Sequence, residues 1–169
     1  MAVVVRAEVS VDRRSIHDVL ARAFPTAQEA ILVERLRETG RLLISLVAES
    51  EAGIVGHIAF SPVTIDNRAS EVIGVGLAPL AVRPDRQRRG VGAQLVSAGL
   101  SACKVAGVGF VVLLGEPDYY RRFGFQKASL WGVANIYGVD EPFMALELCP
   151  AAIAPGLLRY APEFDDLST

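Results

Sequence analysis

The chain has 169 residues, a formal net charge of −2 and 51% hydrophobic residues. This composition excludes a chain too polar to bury a core, and the charge supplies no general basic field for nucleic acid. The length suits one domain over residues 1–169.

The N-terminal stretch MAVVVRAEVS has neither the basic start nor the small-residue cleavage site of a secretory signal. Its valines predict a strand over residues 2–9. Asp12 is a candidate N-cap for a helix over 13–23, with Ile16, Val19, Leu20 and Phe24 on one side. A second helix is predicted over 27–39, with Ile31, Leu32, Val33 and Leu36 inward and Gly40 past its end. Two strands follow, 42–49 and 54–65, joined at Ser50-Glu51-Ala52-Gly53 like a hairpin. The stretch 72–82 (VIGVGLAPLAV) reads as a strand that Pro79 must bulge or break, because proline cannot donate to the ladder.

Residues 83–95, RPDRQRRGVGAQL, carry Arg83, Arg86, Arg88 and Arg89 ahead of Gly90-Val91-Gly92. A helix over 90–106 comes next, with Val91, Leu95, Leu100 and Cys103 inward. The run 110–114 (FVVLL) is continuously apolar, as a strand covered on both faces should be. A short helix is expected over 117–123, with Pro117 in its first turn. Residues 125–140 carry no clear period, 142–148 form a last strand, and 150–169 read as loop or packed coil. Cys103 and Cys149 make neither a disulfide framework nor a metal-ligand cluster. No apolar run reaches the roughly 18–20 residues that span a bilayer. A soluble, cytoplasmic protein that binds neither membrane nor nucleic acid is expected.

The order strand, basic turn, glycine-rich helix start points to an anion site. The first turn of a helix has unpaired N–H groups and a partial positive charge. Glycine lets a phosphate approach the main chain, and guanidinium groups add charge-assisted contacts. Packing glycines beside a solvated basic turn are the alternative on these grounds alone. A P-loop is excluded because Ala93 and Gln94 follow Gly92 where Lys and Ser/Thr are needed. A dinucleotide fingerprint fails because position 95 is Leu95 rather than glycine.

The segment Gln87-Arg88-Arg89-Gly90-Val91-Gly92 resembles the Q/R-x-x-G-x-G/A signature of the GNAT superfamily of acyl-CoA-dependent N-acetyltransferases. LAPLAVRPDRQRRGVG and LLGEPDYYRRFGF succeed each other as in one bacterial branch, and SLVAE, GIVGHIAFSPV and FMALEL are also similar to it. The resemblance implies an α/β (α+β) fold whose mixed central sheet, flanked by helices, is splayed at a bulge in strand 4. It implies that Leu80, Ala81 and Val82 pair through main chain with the pantetheine arm of acetyl-CoA, the cosubstrate. The amides of Arg88, Arg89, Gly90, Val91, Gly92 and Ala93 would hold the pyrophosphate.

Transfer of an acetyl group to a primary amine needs a polarised carbonyl, a neutral amine and a proton for the leaving thiolate. By resemblance Tyr120, four residues before Gly124, is the thiol-facing tyrosine, with Tyr119 as runner-up and packing under the Phe123–Phe125 corner as the alternative. His57 and Glu116 are the candidate bases. His57 reads first as a packed, hydrogen-bonded strand histidine, and Glu116 equally as a favourable charge at a helix start. Ser61, Glu71 and a water chain are weaker candidates, and His17 reads as a surface residue. Pro117 departs from the polar residue that many relatives carry there, which removes one expected pantetheine contact. Arg83 and Arg86 exceed what the signature asks, and Trp131 and Tyr137 either line an acceptor pocket or close the core. A non-catalytic acyl-CoA-binding module or sensor is the competing function, and a regulator that binds ATP or NAD a third. The acceptor amine and the oligomeric state stay open, a homodimer included.

Overall fold

The computed structural model describes residues 2–66 and 71–167. Among the described residues, nine strands and four α-helices follow the chain. They are β1 (Val4–Ala7), α1 (Arg13–Ala23), α2 (Gln28–Glu38), β2 (Ile44–Ser50), β3 (Gly53–Ile65), β4 (Ile73–Val82), α3 (Val91–Val105), β5 (Val108–Leu114), α4 (Pro117–Arg121), β6 (Gln126–Lys127), β7 (Val133–Asn135), β8 (Phe143–Glu147) and β9 (Gly156–Arg159). The main sheet runs β1-β2-β3-β4-β5-β8-β6. All its neighbours are antiparallel except β4 and β5, which are parallel across the α3 crossover.

The alternation of side chains along β3 divides the core in two. Ile58 and Phe60 face α3, where Leu95, Val96 and Cys103 are fully buried. Ala59, with Val47 of β2 and Ala81 of β4, faces Ile16, Val19 and Leu20 of α1. Burial also pushes the Cys103 thiol up to about 12, so it behaves as a small hydrophobe.

Two departures from regular pairing shape the sheet beside β4. In the β3–β4 ladder Phe60 faces Leu77 while Ile58 faces Leu80, so two residues, Ala78 and Pro79, oppose Ala59 alone. In the β4–β5 ladder the pairing ends at Gly76 opposite Val112. Beyond that point β5 stays paired on its other side with β8, through Leu114 opposite Phe143. The main chain of β4 from Leu77 to Val82 therefore has no β5 partner.

Three sequence expectations change. Asp12 does not cap α1 with its side chain. A 3-10 turn over Ser10–Asp12 precedes the helix, and the carboxylate turns back to accept the Val9 N–H at 2.7 Å and the Arg6 guanidinium at 2.7 and 3.1 Å. The Arg6 partnership holds this carboxyl below its ordinary range against the effect of burial. Ile31 lies outside the buried face of α2, which is made by Ala30, Leu32, Val33 and Leu36. The tail also contains structure: β9 pairs antiparallel with the end of β3 and parallel with β7, and a 3-10 turn over Pro162–Leu167 follows. Among the described residues, no helix is long and apolar enough to cross a membrane.

Candidate active site

The unpaired end of β4 leads straight into the basic turn. Arg83 N–H bonds to Val55 O at 2.8 Å, and the Gln87 side-chain amide donates to Val82 O at 3.1 Å. Both bonds tie the turn back to the sheet. Arg88 has φ +63° and Gly90 φ +83°. The left-handed region costs a side-chain-bearing residue roughly 1–2 kcal/mol, so Arg88 is held there by its surroundings, whereas Gly90 adopts it freely. Left-handed turns beside a helix start are a geometry in which successive N–H groups form an anion-binding concavity. Gly90 is the N-cap, and Val91 begins α3.

A groove of about 290 Å³ lies at this junction. Leu80 and Val82 form its sheet side, Arg88 and Gly90–Ala93 its helix side, and Tyr119 and Arg122 its third wall. Of the sequence-nominated binding residues, Leu80, Val82, Arg88, Gly90, Val91, Gly92 and Ala93 thus come together on one groove. The Arg89 side chain is exposed outside that lining, and the Ala81 side chain faces α1. Charge around the groove is unevenly compensated. Arg83 pairs with Asp85 at 2.8 Å, and Arg86 approaches Asp85 at 3.7 Å. Among the described residues no carboxylate pairs with Arg88, Arg89 or Arg122.

The two tyrosines of α4 diverge. A Cβ placed on Gly92 would lie 3.0 Å from the Tyr119 hydroxyl, so Tyr119 reaches across the groove to the start of α3. Tyr120 turns to the end of β5, where a Cβ on Gly115 would lie 2.6 Å from its ring. Its ring stands edge-on to Phe125 at 5.8 Å. Burial, and secondarily Tyr119, push the Tyr120 hydroxyl up to about 12, so it keeps its proton at neutral pH. Glu116 is exposed and precedes α4 as its N-cap, with its carbonyl accepting from Tyr120 N–H.

His57 is fully buried, in register with Val47 and Ala81, and so on the α1 side of the sheet. Its Nε2 lies 2.7 Å from Ser45 Oγ, and that hydroxyl bonds to the Glu8 carboxylate. Arg37 closes this chain with two 3.0 Å bonds to Glu8. His57 Nδ1 has no partner among the described residues. Burial lowers the ring to about 4, with Glu8 opposing and Arg37 reinforcing the shift. The folded chain therefore holds a neutral ring, while the unfolded chain takes up a proton below about pH 6.5. The shift therefore costs nothing above about pH 6.5 and destabilises the fold increasingly as pH falls toward 4, by about 3 kcal/mol in all. Thermal melts of the wild type are expected to fall steeply over that window, and His57→Gln to flatten the slope. An equal slope in the variant would assign the acid sensitivity elsewhere.

The weaker nominees scatter. Ser61 is buried with an unpartnered hydroxyl, Glu71 is exposed, and His17 meets Glu34 at 2.8 Å between α1 and α2. Tyr137 packs on Tyr160 at 6.2 Å, at the chain's C-terminal end and not on the groove. Sequence reasoning did not single out Arg122 as a groove residue, nor the bond from Gln87 to the strand end. No local signal marks Arg122, whose position depends on α4 folding back beside α3.

Known proteins resemble this chain in sequence and in fold. A family model described as an acetyltransferase (GNAT) domain matches residues 5–128. The chain is 36% identical over 165 residues to the uncharacterized N-acetyltransferase YhbS of Escherichia coli K12, covering 95% of this chain and 98% of that protein. The crystal structure of E. coli YhbS in complex with CoA superposes with a TM-score of 0.89 at 35% identity, over 96% of this chain and 92% of that one. A GNAT family acetyltransferase from Brucella melitensis in complex with acetyl-CoA gives 0.81 at 34% identity, over 97% and 99%.

Proposed function

The chain belongs to the GNAT acetyltransferase family, and on that basis we propose that it moves the acetyl group of acetyl-CoA to a primary amine. The unpaired main chain of β4 above Gly76, running directly into the α3 start, carries this reading. It offers a linear tether strand-like partners at Leu80–Val82 and offers a diphosphate the amides of Arg88–Ala93. The chain's own features fit such a ligand. Gly92 leaves room that a Cβ would fill, and Arg88 and Arg122 stand uncompensated beside it. The two relatives solved with CoA and acetyl-CoA support the same cosubstrate.

In this reading a main-chain N–H near Ala81 or Val82 polarises the thioester carbonyl. The neutral amine attacks that carbon, a C–N bond forms and the C–S bond breaks. Tyr120 gives its proton to the departing sulfur, and its raised pKa keeps that proton available across the neutral range. The proton shed by the amine leaves through Glu116, at the open end of β5, or through water. His57, neutral and buried on the far side of the sheet, stays within the network of Ser45, Glu8 and Arg37. The whole of residues 1–169 acts as a single catalytic domain.

Purified protein incubated with acetyl-CoA and a panel of primary amines is expected to release free thiol only when an accepted amine is present. Tight CoA binding without thiol release for any amine would instead make the chain an acyl-CoA-binding module. A melting temperature raised by ATP or NAD and untouched by CoA would overturn both readings.

A further inference from the structure

The free stretch of β4 has another side, the one covered by α1 and α2. The buried residues of α2 meet it in two stripes. Leu32 and Leu36 join the cluster that contains Ala78, and Ala30 and Val33 join the one that contains Ala81. At about 100° per residue, Glu29 falls between Leu36 and Val33 when the helix is viewed end-on. A carboxylate thus stands on the inward face of α2, in its first turn. Its Oε2 is shut off from solvent and has no partner among the described residues. The helix start favours a negative charge, but that attraction does not require burial. A shielded carboxylate oxygen with nothing donating to it is unfavourable.

Two more shielded oxygens lie on this face of the sheet. Tyr160 packs in the cluster of Ala78, and a Cβ on Gly76 would lie 2.7 Å from its ring. Ser61 is fully buried and directly opposite Gly76 in the β3–β4 ladder, so both point to the same side. Neither Tyr160 Oη nor Ser61 Oγ has a partner among the described residues. Gly76 is the last residue of β4 to pair with β5. These oxygens therefore flank the place where the two strands part, on the face opposite α3.

We infer that Glu29 is an acceptor-binding residue, whose carboxylate takes the N–H groups of an incoming primary amine and selects acceptors that arrive as cations with no carboxylate beside the nitrogen. The inference rests on the acetyl-transfer reading above. A protonated amine brings three N–H donors to an anion that lacks them. Held there, it lies on the α1–α2 side of the β4 edge against which the thioester is proposed to rest. Its proton leaves before attack by the route already described. A free α-amino acid carries its own carboxylate to the same place, and Glu29 repels it.

The test compares wild type with Glu29→Gln and Glu29→Leu. Thiol release is followed at saturating acetyl-CoA with butylamine, alaninamide and free alanine. The wild type should use butylamine and alaninamide in preference to alanine. Glu29→Gln should raise the KM for the accepted amines about tenfold, the loss of a charge-assisted bond, with CoA affinity by calorimetry unchanged. Without ligand, Glu29→Leu should melt about 2–4 °C above wild type, because the shielded carboxylate is gone. An unchanged amine KM in Glu29→Gln, a Glu29→Leu melting temperature at or below wild type, or equal use of alanine and alaninamide overturns the inference. Wild-type protein that releases no thiol with any amine is a different result and defeats the acetyl-transfer reading. Binding at Glu29 is then read from melting temperatures, which butylamine should raise in the wild type and not in Glu29→Gln; no rise in the wild type overturns the inference as well.

Discussion

Gly92→Val should weaken CoA binding by about 30-fold or more while leaving the fold in place. The side of α3 on which the new side chain would stand is occupied. Even a Cβ would meet the Tyr119 hydroxyl at 3.0 Å and Val82 Cγ2 at 3.8 Å. Valine adds two methyl groups beyond that. Tyr119 could withdraw, but it bears Arg122 and sits edge-on to Tyr120 at 4.9 Å. A valine side chain standing in the space where a phosphate must reach the α3 amides is expected to cost binding about 2 kcal/mol, about 30-fold in affinity. The position lies in the first turn of the helix and half-exposed, so the global core of Leu95, Val96 and Cys103 is not disturbed. Calorimetric titration with CoA, beside a thermal melt of each protein, makes the comparison. A variant with wild-type affinity would remove the pyrophosphate from the α3 start.

Tyr120→Phe should have the larger effect on turnover. Loss of a positioned proton donor lowers rates by about 10²–10⁴-fold, and kcat is expected to fall by at least the lower figure. CoA affinity should change little, because the ring is kept and the groove lining is contributed by Tyr119. The edge-on contact with Phe125 and the approach to Gly115 also survive the substitution. Since burial holds the hydroxyl near 12, no loss of wild-type activity from Tyr120 ionisation is expected between pH 7 and about pH 10. Steady-state rates of thiol release in the variant decide the matter. A kcat equal to wild type would exclude Tyr120 as the acid.

Much of this architecture can be read from residue order. The uninterrupted apolar run of β5 announces a strand buried on both faces, and Gly90 marks the helix start at which α3 begins. Pro79 falls where the β3–β4 register slips. What escaped the sequence depends on contacts between distant segments. β9 is only four residues long and follows a proline-rich stretch, so its identity comes from pairing with Thr64 and Ile65 of β3, about ninety residues earlier. Asp12 looks like a cap because its type suits one, but Arg6 claims the carboxylate through the fold of β1 onto the turn. The division of labour between Tyr119 and Tyr120 is a matter of one residue's rotation on a short helix. It is decided by the neighbours at Gly92 and Gly115, which no local pattern encodes.

The break in the β4–β5 ladder has a thermodynamic corollary. A ligand that paired with the β4 edge from Leu77 to Val82, which has no β5 partner, would bind the folded state only. Mass action then links the chain's lifetime to the abundance of that ligand. At a hundredfold excess over Kd, the folded form gains about 2.7 kcal/mol.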